Sequence, residues 1–126
     1  MVLVAMLFPI NFDRKQKGTI MLTQEIHTKA LFAAALATGQ YLAEYGEQFP
    51  CGFAKVIADV NGNTKIGKSF KACGFEKNYG GGWYFWNPSQ SMTQSVDAKY
   101  AGVRAYIKVV NEYLPNVNLY GHTALD

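Results

Sequence analysis

Val96, Tyr100, Val103, Ile107, Val110 and Leu114 recur at three- and four-residue steps, tracing one helical stripe of about five turns that Pro115 then breaks. A helix with a single apolar face must lay that face on a sheet or on another helix, and the chain supplies both. From Thr23 to Tyr45 the residues are strong helix formers around the alanine-rich centre Lys29–Ala37, and Gly46 ends the run. Apolar positions occupy most of its circumference, so this helix is expected to be largely covered. After the joint Phe49-Pro50-Cys51-Gly52, Phe53 to Val60 reads as a strand with Ala54, Val56, Ala58 and Val60 on one side. Its other side is mixed: Phe53, Lys55, Ile57 and Asp59.

Asn61-Gly62 signals a turn, and Asn63 or Thr64 caps a short helix whose apolar residues Ile66, Phe70 and Cys73 share one face before Gly74 stops it. Trp83 to Trp86 reads as a strand, because an aromatic run suits a pleated surface. Ser91-Met92-Thr93-Gln94 has the spacing of a capping box ahead of the last helix, and Val117, Leu119 and Tyr120 offer a final strand. This order predicts an α+β fold: a small three- or four-stranded sheet with helices packed on it, as one domain over residues 21–126. With 126 residues, 49% of them hydrophobic, the chain suffices for one core and is short for two.

Residues 1–20 carry no sustained helical or strand period, and two readings stand side by side. They form an N-terminal arm, with Val2-Leu3-Val4 as an edge strand, or a non-native leader. The second arises because codons for Lys17-Gly18 are purine-rich and resemble a bacterial ribosome-binding sequence just ahead of Met21. In Met1–Ile10 the charges follow the apolar run and no small-residue cleavage site appears, which argues against a signal peptide and for the cytoplasm. No run reaches the ~18–20 apolar residues of a membrane span, so no membrane partner is expected.

The formal charge of +3 is unevenly spread. Residues 61–108 hold seven Lys or Arg against Glu76 and Asp97, whereas residues 21–50 hold Lys29 against Glu25, Glu44 and Glu47. A local excess of this kind can steer an anion or simply solvate a face. Lys65, Lys68 and Lys71 repeat every three residues along one side of the short helix, and Asn63 and Thr64 stand at its start, where backbone N–H groups and the helix dipole favour phosphate. Gly62-Asn63-Thr64-Lys65-Ile66-Gly67-Lys68-Ser69 even meets the letters GxxxxGKS. The surroundings of a nucleotide-hydrolysing loop are missing, since no large parallel sheet and no second strand ending in Asp can be read.

Downstream, Tyr79-Gly80-Gly81-Gly82-Trp83 allows close backbone approach, and Tyr84 or Trp86 could stack on a base beside the polar Asn87. The rival reading buries every ring. Lys99, Arg104 and Lys108 lie off the apolar stripe of the last helix as a further basic face or a solubilising one. Cys51 and Cys73 lack metal-ligand spacing and read as reduced, buried thiols, so neither a metal nor a cofactor is expected. His27 shows no carboxylate partner at helical spacing and His122 stands in a polar tail. No catalytic residue is named, because no nucleophile, base or paired-carboxylate arrangement emerges from spacing.

Pro50-Cys51-Gly52-Phe53-Ala54, Gly80-Gly81, Trp86-Asn87-Pro88-Ser89, Gln94-Ser95-Val96-Asp97-Ala98-Lys99 and the Leu125-Asp126 end together resemble a group of small bacteriophage accessory proteins over residues 50–126. The group brings no activity, ligand or catalytic residue with it. The resemblance implies a phage product acting in the cytoplasm of an infected bacterium. Three functions follow in order: a module binding nucleic acid or a nucleotide through a basic and aromatic surface, a protein-directed inhibitor of a host defence or metabolic enzyme, and a small enzyme of unspecified reaction. A host protein as partner and a homo-oligomer are both left open.

Overall fold

The computed structural model describes residues 21–125; both readings of residues 1–20, and the Asp126 end of the resemblance, lie outside them. Helix α1 spans Gln24–Tyr45, with the Thr23 side chain capping it by accepting the Ile26 N–H at 3.2 Å. Strand β1 follows at Gly52–Ala58. Helix α2 covers Lys65–Ala72, capped by Thr64 rather than Asn63. Two short strands, β2 at Glu76–Lys77 and β3 at Trp83–Trp86, precede helix α3 at Val96–Tyr113 and strand β4 at Leu119–Leu125. The α+β class read from the sequence is the observed one.

The described strands form one sheet in the order β2-β3-β1-β4, with every neighbouring pair antiparallel. Helix α2 joins β1 to β2 and α3 joins β3 to β4, so two split βαβ crossovers interlock. Both crossovers place their helices on the same side of the sheet. There Ala54, Val56 and Ala58 of β1 share one apolar cluster with Phe70 of α2, Val103, Tyr106 and Val110 of α3, and Ile26, Ala30 and Ala34 of α1. Phe85 lies among the rings of His27, Phe75 and Tyr106, with centroids 5.0, 5.3 and 6.1 Å away. His27, which sequence spacing leaves without a partner, is buried with Nδ1 2.7 Å from the Tyr106 hydroxyl.

Three sequence expectations change. Helix α1 is covered on one stripe, Ile26-Ala30-Ala34-Thr38, while Phe32 and Leu36 are 73% and 63% exposed. A helix lying against one layer buries one face, whatever the hydropathy of the other. Ser91–Gln94 form no capping box: Gly52 N–H donates to Gln94 O and Val96 N–H to Pro50 O, holding the segment extended beside the start of β1. Ser95 caps α3 instead, and Thr93 Oγ1 donates to Glu47 Oε2 at 2.7 Å. Strand β2, only two residues long, had no readable period. The tail holding His122 is the second half of β4, paired along β1.

Candidate functional site

Side chains alternate across a strand, so the residues between the core positions of β1, β3 and β4 share the sheet's other face. The register aligns them in rows. Glu76, Tyr84, Ile57 and Tyr120 form one row across all four strands; Trp86, Lys55 and His122 form the next, and Phe53 with Ala124 a third. No described helix or strand lies over this face. Its rings are correspondingly accessible: Trp86 is 50%, Tyr120 45% and Phe53 40% exposed.

The rings and cations on this face contact one another. Phe53 and Trp86 are neighbours with centroids 5.2 Å apart. Lys55 extends over the Tyr84 ring, with Nζ 4.8 Å from its centroid, and donates to Asn78 Oδ1 at 3.0 Å. Lys99 reaches around the end of β1, its Nζ 5.4 Å from the Phe53 centroid and 2.7 Å from Gly52 O. An ammonium has three donors, so each lysine retains hydrogen-bonding capacity beyond its protein partner. At the β2 edge the Tyr84 hydroxyl meets Glu76 Oε1 at 3.3 Å. The Glu76 charge first, and loss of solvation second, push the Tyr84 phenol above its usual value.

Of the sequence-predicted site residues, Tyr84 and Trp86 stand on this face, with Tyr84 serving as the bed for Lys55 and Trp86 as the open ring. Phe85 and Trp83 turn to the covered side, so the aromatic run is neither all exposed nor all buried. Tyr79 is fully exposed at the tip of the β2–β3 loop. Asn87 is occupied by its own turn: at φ 41° it donates from Nδ2 to Ser91 O and accepts from Ser89 Oγ.

The lysines of α2 sit apart from the open face. Phe70 fixes α2 on the covered side, and Lys65 and Lys68 project from it away from the buried stripe. Lys71 folds over Trp83, with Nζ 4.9 Å from the ring centroid. The GxxxxGKS letters have a packing explanation. A Cβ on Gly62 would meet the Trp83 ring at 2.5 Å, and one on Gly67 would collide with the Asn61 carbonyl. Several amides a phosphate would need are engaged: Asn63 N–H donates to Asn61 Oδ1, Thr64 N–H to Asn61 O and Gly67 N–H to Thr64 Oγ1. The basic face on α3 also divides, since Lys99 turns to β1 while Arg104 and Lys108 line a shallow hollow with Ala101 and Ala105.

Phe53, Lys55, Glu76, Tyr120 and His122 are members of the open face that sequence reasoning left unassigned. The alternation of β1 already put Phe53 with Lys55, but nothing local marked that side as the uncovered one. Among the described residues, no three His, Cys, Asp or Glu side chains gather at one point. Cys73 is buried with its thiol pushed up by desolvation, as befits a packed residue, whereas Cys51 is only half-buried. No described helix is long and apolar enough to cross a membrane. Comparison with protein-family models, curated proteins and solved structures finds no match for this chain.

Proposed function

We propose that this protein binds single-stranded nucleic acid on the open face of its sheet, stacking bases on Trp86 and Phe53 and meeting phosphates with Lys55 and Lys99. One observation carries the reading: two adjacent exposed rings and the Lys55 ammonium share the uncovered face on the two central strands, and Lys99 of α3 brings a second ammonium around the end of β1 to the Phe53 ring. Bases stack on aromatic side chains for about 1–3 kcal/mol each, and four-stranded sheets with aromatic central strands are a recurrent platform for single-stranded RNA. Two ammonium groups would release few counterions, so the logarithm of affinity should fall with the logarithm of salt at a slope of only about −1.4. The resemblance to phage accessory proteins supports an infected bacterial cytoplasm as the setting.

The test is fluorescence anisotropy with a short labelled single strand. Phe53→Ala with Trp86→Ala should weaken binding at least about tenfold, the equivalent of one lost stack, with circular dichroism unchanged. Absence of binding by the parent protein, or equal affinity of the double variant, overturns the reading. A second reading, a protein-directed inhibitor of a host enzyme, draws on a different region. Phe32 and Leu36 protrude from α1, and Phe32 lines a hollow of about 280 Å³ with Leu31, Ala35 and Pro88. Retention of one host protein through salt washes, lost on Phe32→Ser with Leu36→Ser, would favour it; retention of none would end it.

A further inference from the structure

Strand β2 pairs with β3 only through Glu76↔Tyr84 and Lys77↔Trp83. The chain before Glu76 bends away to close α2, with Gly74 N–H donating to Lys71 O and Phe75 N–H to Phe70 O. The end of β3 is therefore left without a strand beside it among the described residues. The result is an open notch of about 510 Å³ lined by Gly74, Glu76, Tyr84, Phe85 and Trp86. That size lies within the ~300–1,000 Å³ of small-molecule sites.

From this notch, and resting on the nucleic-acid reading above, we infer a nucleobase pocket that selects guanine. Three kinds of group converge there. The half-exposed Trp86 ring supplies a stacking surface. The Trp86 backbone supplies a donor and an acceptor: Asn87 N–H donates to Ala54 O at 3.0 Å, toward β1, so in an antiparallel ladder residue 86 turns its N–H and C=O the other way, into the notch. Glu76 supplies a carboxylate on the same face as Trp86, diagonal to it across the strand pair at a spacing of about 7–8 Å.

The donor pattern of the base decides the selectivity. Guanine presents two adjacent donors, N1–H and the 2-amino group, which match the two oxygens of a carboxylate, and its O6 can accept a backbone N–H. Adenine and cytosine offer one amino donor beside a ring-nitrogen acceptor, and uracil one N–H between two carbonyls. Each would set an acceptor lone pair against the carboxylate. Glu76 is one of only two acidic residues within residues 61–108, and on a phosphate-binding face an unassisted carboxylate would repel the ligand. Reading a base edge gives it a purpose there. The Tyr84 hydroxyl at 3.3 Å from Oε1 orients the group and leaves Oε2 and further lone pairs available.

The same chemistry serves a free guanine nucleotide or a guanine within a strand, and the experiment separates them. Affinities are measured for uridine-rich RNAs that differ in one central guanine, adenine or inosine, and for GMP, IMP and AMP alone. The expected result is tenfold or greater preference for guanine over adenine, most of it lost with inosine, which lacks the 2-amino group. Glu76→Gln should bring the guanine-to-adenine ratio close to one, whereas Arg104→Ala, on the helical side, should keep it. Equal affinity for the guanine and adenine RNAs, or a preference that survives Glu76→Gln, overturns the guanine pocket and leaves strand binding standing. Binding of GMP without binding of RNA keeps the pocket and sinks the strand; binding of neither overturns both.

Discussion

On β3, Phe85 lies among His27, Phe75 and Tyr106, while its neighbours Tyr84 and Trp86 face the other way with half of the Trp86 surface exposed. The two sides of the sheet thus use the same residue types for opposite ends. On the covered side, three helices and one contiguous apolar cluster make each ring a structural member. On the open side, Trp86, Phe53 and Tyr120 keep 40–50% of their surface in water and so contribute less to folding. Large rings that stabilise little, collected on one face beside lysines, are the ground on which a ligand is proposed for this face.

The contrast between the two faces fails first if the covered one proves expendable. Phe70→Ala empties a fully buried site between α2 and the sheet and should cost about 3–5 kcal/mol, read from a denaturant midpoint. A loss below about 1 kcal/mol would mean that the cluster does not hold the fold. Tyr106→Phe removes the hydroxyl opposite His27 Nδ1 and leaves a buried polar atom without its partner, for about 1–3 kcal/mol. Trp86→Ala should cost less than about 2 kcal/mol while weakening single-strand binding, and an unfolded variant would assign that ring to the core instead.

Acid should act through the covered face as well. Burial lowers the His27 pKa below 6.5, so the unfolded chain binds the proton more readily than the folded one. This contribution is fully present above about pH 6.5 and lost as the pH falls below that value, levelling off once the lowered folded-state pKa is passed. Urea midpoints across that range, with His27→Gln as the control lacking the slope, would show it; midpoints that rise on acidification would contradict it. The smallest effect belongs to Lys65→Ala with Lys68→Ala, on the exposed side of α2. Stability should move by less than about 0.5 kcal/mol and strand affinity should stay within about twofold; a large loss would return the binding site to α2.

Much of the fold was legible because its signals are local. The stripe from Val96 to Leu114 marks α3, the alternation Ala54-Val56-Ala58 marks β1, and Gly46, Thr64 and Pro115 mark the end of α1, the start of α2 and the stop after α3. Less of the site was legible. Trp86 and Tyr84 stood out as aromatic residues, but Phe53 and Lys55 looked like the unremarkable side of a strand, and His122 like a tail. The lysines of α2 drew attention because they are close to the aromatic run in sequence, although Phe70 anchors their helix in the cluster on the covered side while Trp86 stands on the open one. Glu76 was invisible as a site residue because a two-residue strand has no period to read and the notch exists only where β2 ends beside β3.

Which residues alternate, which share a helical stripe and where each helix can begin depend on neighbours a few positions away and are therefore written in the chain itself. Tertiary structure alone decided which side of the sheet the two crossover helices cover. That choice leaves Phe53, Lys55, Tyr120, His122 and Trp86 on a common surface, because antiparallel pairing joins strands that lie up to about seventy residues apart along the chain.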